Sequence, residues 1–99
     1  FTSHFYTTNK IYWGYQATDR TNTLDNAITP NSWNHVILMY DGKDSHTWQI
    51  YINGIKEAES PATITSLLNN DNPLSFGLGS YSGSNITWDE IRIYNRTLS

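Results

Sequence analysis

The acidic side chains come nearest to forming catalytic pairs. Glu57 and Glu59 stand two apart, so on a strand they share a face. Hydrolysis of a glycosidic bond needs two carboxylates opposed across it, one as acid and one as base or nucleophile. The segment that carries these two is short and polar and reads as a sheet edge, a poor place for such a pair. Asp89 and Glu90 are adjacent, so a strand would point them to opposite faces. His4, His35 and His46 are scattered, and no Ser-His-Asp arrangement emerges. These residues predict a protein that is not an enzyme.

Oxygen ligands are more plentiful. Calcium takes several of them from carboxylates, amides and backbone carbonyls. Asp71 and Asn72, beside Asn70, make one oxygen-rich loop, and Asp41 with Asp44 makes another. Asp89 shares a strand face with Ile91 and Ile93, so if buried it needs hydrogen-bond partners or a cation. Asp71, Asn72 and Asp89 are the candidate calcium ligands. Asp and Asn also favour turns for local reasons, which accounts for the same loops without a metal.

The third chemistry is stacking. Aromatic faces pack on the apolar faces of sugar rings, while amides and carboxylates hydrogen-bond the hydroxyls. Trp13 and Tyr15 alternate with Tyr12 and Gly14 and so share one strand face. Gly14 between them lets a ligand or another backbone come close. Tyr81, in a Ser-Gly loop, is a candidate exposed ring. Trp13, Tyr15 and Tyr81 are the candidate sugar platform, although Trp13 and Tyr15 suit a core equally well. Glu90 and Arg92, two apart, read as a surface ion pair.

The elements that position these residues follow a period of two. Val36, Leu38 and Tyr40 alternate with His35, Ile37 and Met39. Both sets are largely apolar, which predicts a strand covered on both faces or with one face lining a groove. Ile50 and Ile52 alternate with Gln49, Tyr51 and Asn53, one face buried and one polar. Asp41-Gly42 and the polar residues after it make a hairpin loop, and Asn53-Gly54 makes a tight turn. Residues 55–59 return as a short polar strand that Ser60-Pro61 ends. Residues 4–8 and 10–17 read as a hairpin, since Tyr and Trp favour strands. Residues 18–26 are polar, and 27–30 can form a short strand leading to Trp33. Further strands are expected over 74–79 and 86–94, and no helix of ordinary length.

Ninety-nine residues make one domain at most, with a thin core. Fourteen aromatics partly offset a hydrophobic share of 37%. The net charge of −3 argues against nucleic acid and anionic membranes as partners, and no apolar stretch is long enough for a spanning helix. Without cysteine there is neither disulfide nor thiolate zinc site. Two glycosylation sequons, at Asn85 and Asn95, are about as many as chance places among so many Asn, Ser and Thr.

Three stretches carry a resemblance. Ser32-Trp33-Asn34-His35-Val36 leads to Tyr40-Asp41-Gly42. A second run goes from Trp48 to Asn53-Gly54. The chain closes on Trp88-Asp89-Glu90-Ile91-Arg92-Ile93-Tyr94-Asn95-Arg96-Thr97-Leu98-Ser99. In order and spacing, residues 32–99 resemble the C-terminal part of the laminin-G-like, concanavalin A-like lectin and glucanase superfamily. The resemblance implies an all-β, antiparallel jelly-roll β-sandwich. It makes Trp33 a core residue opening a strand, Trp88 a packed one and His35 a structural one. It implies a calcium ion in some members, with ligands from distant segments. Family members are longer, so the chain is expected to be an incomplete or trimmed single domain whose missing strands come from its own parent chain or from another chain.

Together these readings predict a non-catalytic carbohydrate-binding module of a secreted or surface protein, extracellular or on a cell or virion surface. The alternative is a structural or adhesive module of a larger surface, fibre or virion protein without a small ligand. An accessory domain of a glycan-degrading enzyme differs from the first only in what is fused to it.

Overall fold

The structure, a computed structural model, describes residues 2–5, 8–16, 18–65, 71, 73–74 and 86–98. The described elements are six strands: β1 (Thr2–Phe5), β2 (Ile11–Gln16), β3 (Asp19–Asn22), β4 (Val36–Asp41), β5 (Thr47–Ile52) and β6 (Ile55–Pro61). They form two antiparallel sheets, β1-β2-β3 and β4-β5-β6, and no helix occurs among the described residues. The all-β expectation holds.

The second sheet is built from two hairpins that composition makes explicit. Asp41 caps the first loop. Its Oδ1 accepts from the Lys43 N–H at 3.1 Å and the Asp44 N–H at 2.9 Å. Its Oδ2 accepts from the Ser45 N–H at 3.1 Å and the Ser45 hydroxyl at 2.9 Å. These bonds, led by those from Asp44 and Ser45, hold the Asp41 carboxyl below the usual carboxylate range. Asn53 (φ 52°) and Gly54 (φ 83°) form the second turn, with Ile52 paired to Ile55 across it. Two positive φ values in a two-residue loop match the twist of the strands they join.

The sheets meet through large apolar side chains. Register sets Val36 opposite Ile52, Leu38 opposite Ile50 and Tyr40 opposite Trp48. These residues face Ile11 and Trp13 of the other sheet. Trp48 and Ile50 are fully buried. The Trp13 and Trp48 rings meet edge to face at 5.6 Å, and Tyr40 lies 4.7 Å from Trp48. The Trp13 Nε1–H donates to the Met39 carbonyl at 2.8 Å, so burial leaves its polar edge satisfied.

A polar seam crosses the same core. Asp19 is buried, and its Oδ1 accepts from the Trp48 Nε1–H at 2.7 Å and the Thr63 N–H at 2.9 Å. Its Oδ2 accepts from the Ile64 N–H at 3.0 Å. Burial pushes its pKa up, but the bonds from Trp48, Thr63 and Ile64 outweigh that and leave it lowered. Thr21 and Ser60 join β3 to β6 at 3.0 Å, and the Thr23 hydroxyl accepts from the Ile11 N–H at 2.9 Å.

Several expectations need correction. The polar stretch after residue 18 contains a strand, β3, whose inward side chains are polar but bonded. Residues 27–30 form no strand, because Asn34 folds them back as a loop. β4 starts at Val36 rather than at Trp33. β6 runs on through Ser60 and Pro61; it is an edge strand, where a missing N–H can be tolerated. The expected strand over 86–94 is absent, since those residues pair with no described strand and Glu90 takes φ 55°. The expected strand over 74–79 lies almost wholly outside the described residues. The outward set on β4 does line a groove, where Ile37 and Met39 meet Tyr51 and Leu98.

Candidate functional site

One end of the sandwich carries an open cleft of about 450 Å³ lined by Trp33, Asn34, His35, Asn53, Asp89 and Glu90. Three separate segments meet there: the lead-in to β4, the β5–β6 turn and the closing segment. Asn53 ties the first two together. Its N–H donates to the His35 carbonyl at 2.8 Å, and its Oδ1 accepts from the His35 N–H at 2.9 Å. Its Nδ2–H donates to the Asn34 Oδ1 at 3.3 Å.

Asn34 continues the chain of bonds backward. Its Nδ2–H donates to the Thr29 carbonyl at 2.8 Å and the Ser32 carbonyl at 3.0 Å, while its Oδ1 accepts from the Thr29 N–H at 3.3 Å. Asn31, next to Ser32, takes φ 57°, a left-handed conformation that Asn tolerates better than most residues. The loop is therefore fixed by its own amides, and Trp33 projects from it with 72% of its surface exposed. An exposed indole on a rigid loop is a ready stacking surface.

The closing segment supplies acid groups. The Asp89 Oδ1 accepts from the Glu90 N–H at 2.8 Å. Glu90 pairs with Arg92 at 3.1 Å, both largely exposed and so weakly coupled. Both carboxylates come from this one segment. The other lining residues are an indole, two amides and an imidazole.

The residues singled out from sequence separate. Trp13 is in the core. Tyr15 is half-buried against that core. A Cβ on Gly14 would collide with the Arg20 Cβ and the Asp19 carbonyl, so the close approach it permits is that of β3, where the ladder shifts register. Asp89 is exposed and lines the cleft, whereas Asp71 is exposed and is not one of the residues lining it. Tyr81 and Asn72 lie outside the described residues. Among the described residues, no group of three or more acidic, imidazole or thiol side chains is placed to hold a metal ion. Glu57 and Glu59 sit on the edge strand β6. Trp33 was expected in the core and Trp88 was expected to pack. Both are exposed, Trp33 because its strand begins three residues later. The signal for the cleft was in the sequence as the Asn34–Asn53 pairing, one residue before His35 and one before Gly54.

A laminin-G-type family model, described as the concanavalin A-like lectin/glucanases superfamily, matches residues 1–99. The chain belongs to this superfamily. The match takes in the first 31 residues as well as the stretches that carried the resemblance. No curated protein and no solved structure matches the chain. Concanavalin A-like domains can bind carbohydrate, and the laminin-G-like and lectin members are generally non-catalytic. The two-sheet, all-β architecture is consistent with the superfamily's sandwich.

Proposed function

We propose that this domain is a non-catalytic carbohydrate-binding module of a secreted or surface protein, and that its site is the Trp33 cleft. The observation that carries this reading is the exposed indole of Trp33, held on a rigid loop beside the Asp89 carboxylate. A sugar ring stacks on the indole face, and its hydroxyls donate to Asp89. Hydrolysis is disfavoured because the cleft does not oppose two carboxylates, as glycosidic cleavage requires.

The test is a glycan-array screen of the longest soluble form of the chain, with and without calcium, followed by titration of the best ligand against Trp33→Ala. The expected result is binding that weakens about tenfold or more in the variant, from the lost stacking. Unchanged affinity would remove Trp33 from the site. A folded sample that binds no glycan would favour the adhesive reading instead. That second reading has its own support in the apolar side chains exposed along the closing segment.

A further inference from the structure

The Trp33 cleft is acidic. Asp89 and Glu90 both line it. The chain has six Lys and Arg, all among the described residues, and none of them lines the cleft. Lys10 lies beside Asp25 and Lys56 beside Glu59. Arg20 lies over the Tyr12 ring, and Arg96 donates to the Thr97 carbonyl. Lys43 is in the β4–β5 loop, at the far end of β4 from the cleft. Arg92 alone is tied to a lining residue, and its charge is matched by Glu90 at 3.1 Å. Asp89 has no such cation among the described residues; its Oδ1 accepts the backbone N–H of Glu90. The cleft thus carries one unmatched negative charge, and the exposed indole of Trp33 lines the same space.

We propose that this cleft selects an amino sugar bearing a free ammonium group over neutral and acidic sugars, an inference that rests on the glycan reading of the site. A neutral sugar offers Asp89 only hydroxyl donors. An ammonium at the ring edge donates to the same carboxylate and adds the attraction between opposite charges. An indole face attracts a cation through its quadrupole, within about 6 Å of the ring centroid. Each contribution is modest at an exposed site, and together they favour the ammonium about five- to tenfold. N-acetylation removes the charge and with it both contributions. A uronic acid or a sulfated sugar sets a further negative charge against Asp89 and Glu90, with no lysine or arginine lining the cleft to receive it.

The experiment is a calorimetric titration of the longest soluble form of the chain at neutral pH and low ionic strength, where exposed charges are least screened. The probes are short oligosaccharides in the gluco and galacto series, each with a hydroxyl, an N-acetyl or a free ammonium group at C2, and the corresponding uronic acids. The ammonium form is expected to bind about five- to tenfold more tightly than the hydroxyl form of its series, and the uronic acid most weakly. Asp89→Asn keeps the shape and an acceptor oxygen but loses the charge, and should bring the ratio of ammonium to hydroxyl affinity close to one. Glu57→Gln removes one charge from the edge strand β6 and should leave that ratio as in the wild type. A hydroxyl form bound as tightly as its ammonium form would overturn the inference and leave the glycan reading standing. A preference that survives Asp89→Asn, or is lost equally in Glu57→Gln, would trace to the net charge of the chain and overturn it too. Binding of none of these probes would also overturn it, while the broader glycan array decides the glycan reading separately.

Discussion

Asp19→Asn tests the polar seam of the core most sharply. The carboxylate divides its work: Oδ1 accepts from Trp48 and Thr63, and Oδ2 accepts from Ile64. Asparagine keeps an acceptor at the Oδ1 position, so two of the three bonds survive as weaker, neutral ones. At the other position an amide N–H₂ faces the Ile64 N–H, donor against donor. Each hydrogen bond to a charged group is worth about 1.5–3 kcal/mol net, and an unsatisfied buried donor costs about 1–3 kcal/mol. The expected loss is about 3–4 kcal/mol, a large share of the roughly 5–15 kcal/mol that stabilises an ordinary domain. Alanine would strand three donors and can abolish folding, which makes asparagine the more informative change. Urea unfolding followed by tryptophan fluorescence reads the effect directly. The pH dependence supplies a second check. The folded pKa of Asp19 lies below the usual 3.8, so its contribution is fully present above that value and is lost as pH falls through the folded pKa. Asp41 is lowered too and acts in the same acid window. Asp19→Asn should therefore flatten the acid side of the stability profile, leaving the part due to Asp41. A variant within about 0.5 kcal/mol of wild type, a change typical of an inert surface site, would refute the idea that Asp19 joins the sheets.

The other predictions concern single side chains. Gly14→Ala sets a methyl group against the Arg20 Cβ and the Asp19 carbonyl, and should cost about 1–3 kcal/mol from overpacking, measured by urea denaturation. Trp48→Ala removes a fully buried ring and should cost about 3–5 kcal/mol; a thermal melt close to wild type would contradict its central place. Trp33→Ala, the variant of the glycan titration, should shift stability by no more than about 0.5 kcal/mol, so any loss of binding is not a loss of fold.

The hairpins of the second sheet were legible because local chemistry dictates them. Asp41 caps its own loop, Asn53-Gly54 tolerates positive φ, and the alternation of β4 and β5 names the inward residues. The glycine between Trp13 and Tyr15 correctly signalled a close approach, though of a backbone rather than a ligand. β3 was not legible, since its inward side chains are Asp19 and Thr21. Their partners, Trp48, Ser60 and the backbone at 63–64, lie about 30 to 45 residues away along the chain. Hydrophobic periodicity carries no trace of a buried hydrogen-bond network. The closing segment failed in the opposite way. Its apolar residues suggest a strand, but the alternation of Ile86 and Trp88 breaks at Asp89-Glu90 before Ile91 and Ile93, Glu90 takes φ 55°, and the segment pairs with no described strand. For the site, the resemblance put Trp33 inside, whereas the amides of Asn34 and Asn53 hold its loop outside the strand.

The two sheets are each drawn from one uninterrupted stretch of chain, residues 2–22 and 36–61, with strands in sequential order. Every ladder therefore closes a short loop, and loop closure of that size is fast. The bonds that join the sheets span far more chain, 29 residues from Asp19 to Trp48 and 44 to Thr63. Non-local contacts repay their closure entropy only late. This connectivity predicts two meanders that form early and independently, with docking through Asp19 as the last event. In a chevron plot, Asp19→Asn should then act mainly on the unfolding limb and leave the refolding limb nearly in place. The carboxylate would act as a latch on a finished structure, setting how long the domain stays closed rather than how quickly it gets there.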